Sequence, residues 1–143
     1  MVAGCNGRYD KIPYYISNGI SRMVFDIGGY VVKYEYNSHD LVNKKEVDIY
    51  KQGVKLGISH LLAKPIYTSP DYKWLIMEKL AYTVGDAQRN AVDDIEYRKI
   101  EREFRVTADK IKQVFPYLWD LDRHKGNIMI DSKGNYKAVD YAW

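Results

Sequence analysis

Residues 14–36, Tyr14-Tyr-Ile-Ser-Asn-Gly-Ile-Ser-Arg-Met-Val-Phe-Asp-Ile-Gly-Gly-Tyr-Val-Val-Lys-Tyr-Glu-Tyr36, are dense in β-branched and aromatic side chains and break at Ser17-Asn18-Gly19 and at Gly28-Gly29. Such side chains favour a pleated, half-buried surface, and a Gly-Gly pair between two such runs is a hairpin signal. The segment predicts three successive antiparallel strands, with Lys33 inside the third.

The elements that follow keep to this plan. Asn37 or Ser38 can cap a helix in which Leu41, Val47, Ile49, Tyr50 and Val54 recur at roughly helical spacing, until Gly53 and Gly57 weaken it. Glu46 falls in its middle. Pro65-Ile-Tyr-Thr68 and the run from Tyr72 to Glu78 flank Ser69-Pro70-Asp71, a turn in which proline presets the backbone angle. This second hairpin completes five strands and one helix.

Beyond Asp86 the character changes. Tyr97, Ile100, Phe104, Ala108, Ile111 and Phe115 step by three or four, an amphipathic helix stopped by Pro116, with a shorter helix ahead of it at Asp86 to Ala91. A last hairpin sets Asp131-Ser-Lys-Gly-Asn135 between Ile128-Met-Ile130 and Tyr136-Lys-Ala-Val139. The fold class expected is α+β, with the two halves meeting between Leu80 and Gly85.

With 143 residues, 46% of them hydrophobic, the chain can bury one core, and a single domain over 1–143 is expected. Its one cysteine, Cys5, excludes an internal disulfide, and no His/Cys spacing suits zinc. No run approaches the ~20 apolar residues of a membrane span, and the N-terminus lacks a secretion signal, so the expectation is a soluble cytoplasmic protein. A net charge of +3 with the two signs interspersed is no nucleic-acid signature. Most of the 14 tyrosines lie beside Val or Ile in strand-like runs, which predicts buried or half-buried rings. Tyr97, Phe104 and Ile111 are expected in the core, and Trp74 and Trp119 as packing residues.

The richest chemistry lies in Trp119-Asp-Leu-Asp-Arg-His-Lys-Gly-Asn-Ile-Met-Ile130 and the hairpin that ends at Asp140. An Asp and an Asn five apart arise by chance in roughly one chain in three of this length, so Asp122 and Asn127 alone carry little. Their order after a strand lysine, a helix glutamate and a second hairpin carries more. That order resembles the protein-kinase-like fold, nearest the small-molecule kinase branch, which includes the aminoglycoside kinases and has a D-x-H-x-x-N loop, here Asp122-Arg-His124-Lys-Gly-Asn127.

The resemblance implies two lobes: a five-stranded antiparallel N-lobe with one helix, about 1–80, and a reduced, mainly helical C-lobe, about 81–143. It implies that Lys33 holds nucleotide phosphates and pairs with Glu46, and that Asp122 accepts the proton of a substrate hydroxyl. Asn127 and Asp140 would hold Mg2+, whose hard character suits oxygen ligands. Val139 and Tyr141 around Asp140 imitate the family's apolar–Asp–aromatic pattern.

Fainter parallels place the adenine edge of ATP against the backbone of Glu78 and Leu80, with Met77 guarding the inner pocket. Ser17, Asn18, Gly19 and Ser21 would cover the phosphates, and His124 would shape the loop or touch phosphate. Asp120 stands where the family commonly has histidine, a second carboxylate that would repel Asp122 or recruit a cation. The chain stops three residues after Asp140, ahead of the activation segment and large helical base of full kinases, so docking of a folded protein substrate on that surface is not expected.

The expected function is a minimal ATP- and Mg-dependent phosphotransferase acting on a hydroxyl-bearing acceptor. Nucleotidyl transfer is a variant within that class. A nucleotide-binding pseudokinase signalling through a protein partner is the alternative, as is a scaffold-only interaction or inhibitor protein of the kind a phage-like element would encode. A homodimer would cover the open lower face of such a reduced lobe.

Overall fold

The computed structural model describes residues 22–36 and 41–142, and residues 15–18 by backbone alone. The fold is α+β. Contacts divide the described residues into two compact units, 15–18, 22–36, 41–48, 64–79 and 142 in one, 49–63 and 80–141 in the other.

The first unit is built on a five-stranded antiparallel sheet. Strands β1 (Tyr15–Asn18), β2 (Arg22–Asp26), β3 (Tyr30–Glu35), β4 (Pro65–Thr68) and β5 (Trp74–Glu78) lie in the order β1-β2-β3-β5-β4. Between β2 and β3, Gly28 takes φ +83°, a left-handed angle that a side chain resists, and Ile27 N–H closes the turn on Tyr30 C=O at 3.0 Å. In the second hairpin the Ser69 hydroxyl donates to the Asp71 carboxylate at 2.7 Å and accepts from Trp74 N–H at 3.0 Å. Tyr72, expected to open the strand, instead turns at φ +60°, so pairing with β3 begins only at Trp74.

Helix α1 (Val42–Lys55) carries the largest departure from its apolar pattern. Leu41 and Val54 are exposed, whereas Asn43, Glu46, Val47, Ile49 and Gly53 are buried. Gly53 sits inside the helix because a Cβ there would come within 2.8 Å of Leu62 Cδ1, itself buried. The glycine expected to weaken the helix is therefore the residue that lets the loop behind it pack close. Residues 37–40, with the expected caps Asn37 and Ser38, lie outside the described residues.

The second unit sets a three-stranded antiparallel sheet, β6 (Tyr82–Thr83), β7 (Ile128–Ile130) and β8 (Tyr136–Ala138), with helices α2 (Val84–Arg89) and α3 (Asp94–Val114). Single 3-10 turns occupy Ser59–Leu61, Pro116–Leu118 and Leu121–Arg123. Thr83 caps α2 by accepting from Asp86 N–H at 3.0 Å, and Asp93 caps α3 by accepting from Glu96 N–H at 2.8 Å. Phe104, Ala108 and Ile111 of α3 are fully buried in a core shared with Leu118, Leu121, Ile128 and Ala138. Side chains of the size of Phe104 or Ile111 each gain roughly 1.5–3 kcal/mol from burial.

Several aromatic expectations are corrected. Tyr97 is 46% exposed because α3 turns it away from its buried stripe, and Trp119 is 59% exposed with Arg123 stacked over its ring. Trp74 is exposed at one edge and rests against Tyr34. Among the described tyrosines only Tyr141 is buried; Tyr30, Tyr36, Tyr67, Tyr82, Tyr97 and Tyr117 are exposed, and the remainder are half-buried. The phenol oxygen lets a ring lie with one face packed and its tip wet. Among the described residues no helix is long and apolar enough to cross a membrane.

Candidate functional site

In the first unit, the register of β2 against β3 sets Arg22 opposite Glu35 and Val24 opposite Lys33. Opposed residues share a face and alternate residues return to it, so Arg22, Lys33 and Glu35 all project from the same side of the sheet. Glu46 meets them there from α1. Lys33 Nζ lies 2.9 and 2.8 Å from the two Glu46 carboxylate oxygens, and Arg22 Nη1 lies 2.7 Å from Oε1. All three are buried, Glu46 completely.

Two further residues close the cluster. Asn43, one helical turn before Glu46, accepts from Arg22 at 3.2 Å and donates to the carbonyls of Lys33, Tyr72 and Lys73 at 3.2, 2.9 and 3.1 Å. Glu35 accepts from the backbone N–H groups of Val42 and Asn43 at 2.9 and 2.8 Å. It does so where the first turn of α1 has no acidic side chain of its own. A carboxylate at that end satisfies orphan amides and opposes the positive end of the helix dipole. The cluster thus holds two cations and two carboxylates, each with a partner, the condition under which buried charge is tolerated.

In the second unit, Asp122 stands in the Leu121–Arg123 turn with Oδ2 3.1 Å from Lys112 Nζ of α3. Asn127 is tied back to that turn: its N–H donates to His124 C=O at 3.1 Å and its side-chain amide to Leu121 C=O at 3.3 Å. Val139 N–H donates to Asn127 C=O at 3.0 Å, one step beyond the Ile128–Ala138 pair. Asn127 and Asp140 therefore lie at the same end of the β7–β8 hairpin. The chain past Asp140 is anchored, since Tyr141 is fully buried and its hydroxyl donates to Ala63 C=O at 2.8 Å.

Lys125 fastens the middle of this loop to the helices. It pairs closely with Glu101 of α3, donates to Gln88 of α2 at 3.1 Å, and sits 4.6 Å above the Phe104 ring. Glu101 also accepts from Gln88 at 2.8 Å. The Lys125 hydrogen bond, seconded by Gln88, holds the Glu101 carboxyl below its ordinary range, although partial burial pushes the other way. The His124 ring is exposed; its carbonyl is what shapes the loop. Asp120 has one carboxylate oxygen buried with no hydrogen-bond partner among the described residues.

The remaining candidates are distributed as follows. Glu78, the last residue of β5, donates its N–H to Lys64 C=O at 2.9 Å and accepts from Lys64 N–H at 2.8 Å. Leu80 is buried, and its N–H makes no hydrogen bond among the described residues. Ser17 and Asn18 are strand residues of β1, opposite Val24 and Met23. Gly19 and Ser21 lie outside the described residues.

Among the described residues no three His, Cys, Asp or Glu side chains gather as a metal cluster. Asn127 and Asp140, at the same end of the hairpin, each carry a hard side-chain oxygen. With the Asn127 amide nitrogen committed to Leu121 C=O, its Oδ1 accepts no hydrogen bond among the described residues, which fits a magnesium ion that keeps several of its waters.

Sequence reasoning missed Arg22, Asn43, Lys112 and the Lys125–Glu101–Gln88 group. Two had a signal: Arg22 falls on the lysine's face by strand alternation, and Asn43 shares a helix face with Glu46. Lys112 and Glu101 read as solvated charges of α3, with nothing local to separate them from their neighbours. No family model matches this chain, and no curated protein matches it.

Proposed function

We propose that this chain is a minimal ATP- and magnesium-dependent phosphotransferase of the two-lobed protein-kinase-like fold, moving a γ-phosphoryl group to a hydroxyl acceptor. In this reading the five-stranded sheet and α1, within about 1–80, make the N-terminal lobe, and the mainly helical remainder from about 81 makes a reduced C-terminal lobe. The observation that carries it is the buried Lys33–Glu46 pair, with both carboxylate oxygens within 2.9 Å of the ammonium. A lysine rigidly held on a strand by a helix glutamate is what phosphate positioning requires, and a solvated lysine does not supply it.

Lys33 takes the α- and β-phosphates, and the backbone of Glu78 and Leu80 takes the adenine edge. Asp122 orients the acceptor hydroxyl and receives its proton as the oxygen bonds to γ-phosphorus and the bridging P–O bond breaks. Asn127 and Asp140 hold magnesium, which when bound offsets the charge of the phosphates. Lys112, with its ammonium 3.1 Å from the Asp122 carboxylate, holds that side chain in position.

The test pairs binding with turnover. The thermal midpoint of the purified protein is expected to rise with ATP plus Mg2+, by the equivalent of about 2.7 kcal/mol at a hundredfold excess over Kd, and the rise is expected to vanish in Asp140→Asn. ATP consumption is expected to collapse in Asp122→Asn while the midpoint rise persists. Unchanged turnover in both variants would sink the proposal.

Two observations favour a second reading, a nucleotide-binding pseudokinase. Asp122 is already engaged by Lys112 at 3.1 Å, and Glu46 is shared with Arg22. Under that reading ATP raises the midpoint but is not consumed with any acceptor, and Lys112→Met does not awaken turnover.

A further inference from the structure

A groove of about 550 Å3 opens within the second unit, between the β6–β7–β8 sheet, α2 and α3. None of the residues assigned above to phosphoryl transfer lines it. Its sheet wall follows from register: Tyr82 pairs with Ile130, and Ile130 pairs with Tyr136. Directly opposed residues point to the same face, so the three form one cross-strand row with a phenol ring on either side of an isoleucine. Ile100 of α3 supplies a second apolar surface, and both isoleucines are buried beneath the opening.

The charges on the rim are unequal. Asp86, Glu96 and Glu103 face the groove against the single cation Lys99. Asp86 is held by Arg89, and Glu96 accepts from Val92 N–H at 2.9 Å. Glu103 has no ion pair among the described residues. The Tyr136 phenol is held above its ordinary range, first by burial and then by the nearby Glu103 carboxylate, and the face of each phenol ring carries the negative part of its quadrupole. Two electron-rich ring faces, an apolar floor and an uncompensated carboxylate together select positive charge carried on a flat apolar body.

We propose that this groove is a binding site for a small organic cation, seated on Ile100 and Ile130 with its charge between Tyr136 and Glu103. With Asp86 paired to Arg89, Glu96 and Glu103 against Lys99 still weigh against an anion, and the rings and isoleucines weigh against a bare metal ion, which would want more oxygen ligands than the rim offers. The site is independent of the phosphotransferase reading.

The test titrates the full chain with benzyltrimethylammonium and, separately, with benzoate, following the tyrosine ring resonances. Benzyltrimethylammonium is expected to shift Tyr82 and Tyr136 saturably, and benzoate is not. Glu103→Gln, a change at an exposed position that should leave the thermal midpoint in place, is expected to weaken the cation about fivefold, the size of one solvent-reached charge contact. Benzoate binding as tightly as the cation, no saturable shift with the cation, or equal cation affinity in Glu103→Gln would each overturn the assignment.

Discussion

Glu46 and Glu101 are both helix glutamates that hold a lysine from elsewhere in their own unit, yet they occupy opposite environments. Glu46 is sealed from solvent with Lys33 and Arg22 against it, whereas about a quarter of the Glu101 side chain, and more of Lys125, is exposed. In water the attraction between two charges at contact is small and largely offset by the cost of ordering them; without water each charge depends on its partner. The first pair is therefore part of the fold itself. The second positions a loop that would otherwise be free to move, and its loss should be felt in geometry more than in stability.

The largest effect that would break this contrast is at Glu46. Glu46→Ala leaves Arg22 and Lys33 buried against each other, and urea unfolding is expected to show a loss of about 3–5 kcal/mol. A loss below ~1 kcal/mol would mean that water reaches the cluster and that the two pairs are alike. Lys33→Met should cost less, roughly 1–3 kcal/mol, because Arg22 still donates to Glu46 at 2.7 Å and the carboxylate is not orphaned. If Lys33→Met is as damaging as Glu46→Ala, Arg22 is not the second partner that the geometry makes it.

Lys125→Met comes next, at about 1 kcal/mol or less, since the methionine keeps apolar contact with Phe104 while the exposed pair is lost. Salt sharpens the comparison. Near 1 M salt the screening length falls to about 3 Å, so the Lys125→Met difference should shrink while the Glu46→Ala difference stays. Equal salt sensitivity of the two would remove the distinction.

How much of this was legible beforehand depends on how far apart in sequence the cause of each feature lies. The hairpins around Gly28 and Ser69 and the stripe Ile100, Phe104, Ala108, Ile111 were readable because turn chemistry and helical period are local. Strand β6 was missed because two residues carry no pattern, and its pairing to β7 is set some 45 residues later in the chain. The buried face of α1 was read only in part: Val47 and Ile49 are buried as expected, but Asn43, Glu46 and Gly53 beside them are residues that a search for apolar spacing passes over.

For the candidate site, the sequence named Lys33, Glu46, Asp122, Asn127 and Asp140. Local rules explain why Asn127 and Asp140 sit together, since a hairpin must return its ends to one place. They do not reveal that Lys112 faces Asp122, or that Asp120 keeps a buried oxygen with no partner among the described residues. Both depend on how α3 lies against the turn that follows it.

The smallest expected effect is also the one whose sign is most informative. Hydrogen bonds from Lys125 and Gln88 hold the Glu101 carboxyl below its ordinary value of 4.5. An acid with a lowered folded pKa binds fewer protons in the native state than in the unfolded state between the two values, so stability falls as pH falls through that window. The stabilisation is full above 4.5 and is lost once pH passes below the folded value. Its size should be a few tenths to about 1 kcal/mol, given the solvent around the pair. Subtracting the unfolding free energy of Glu101→Gln from that of the parent isolates this contribution from the other carboxylates. The difference should narrow through the acid range in the parent background and be small at every pH in Lys125→Met. A difference that holds constant down the acid limb would show that Glu101 gains nothing from its lysine beyond a neutral hydrogen bond, and Lys125 would then be placed by Gln88 and the Phe104 ring.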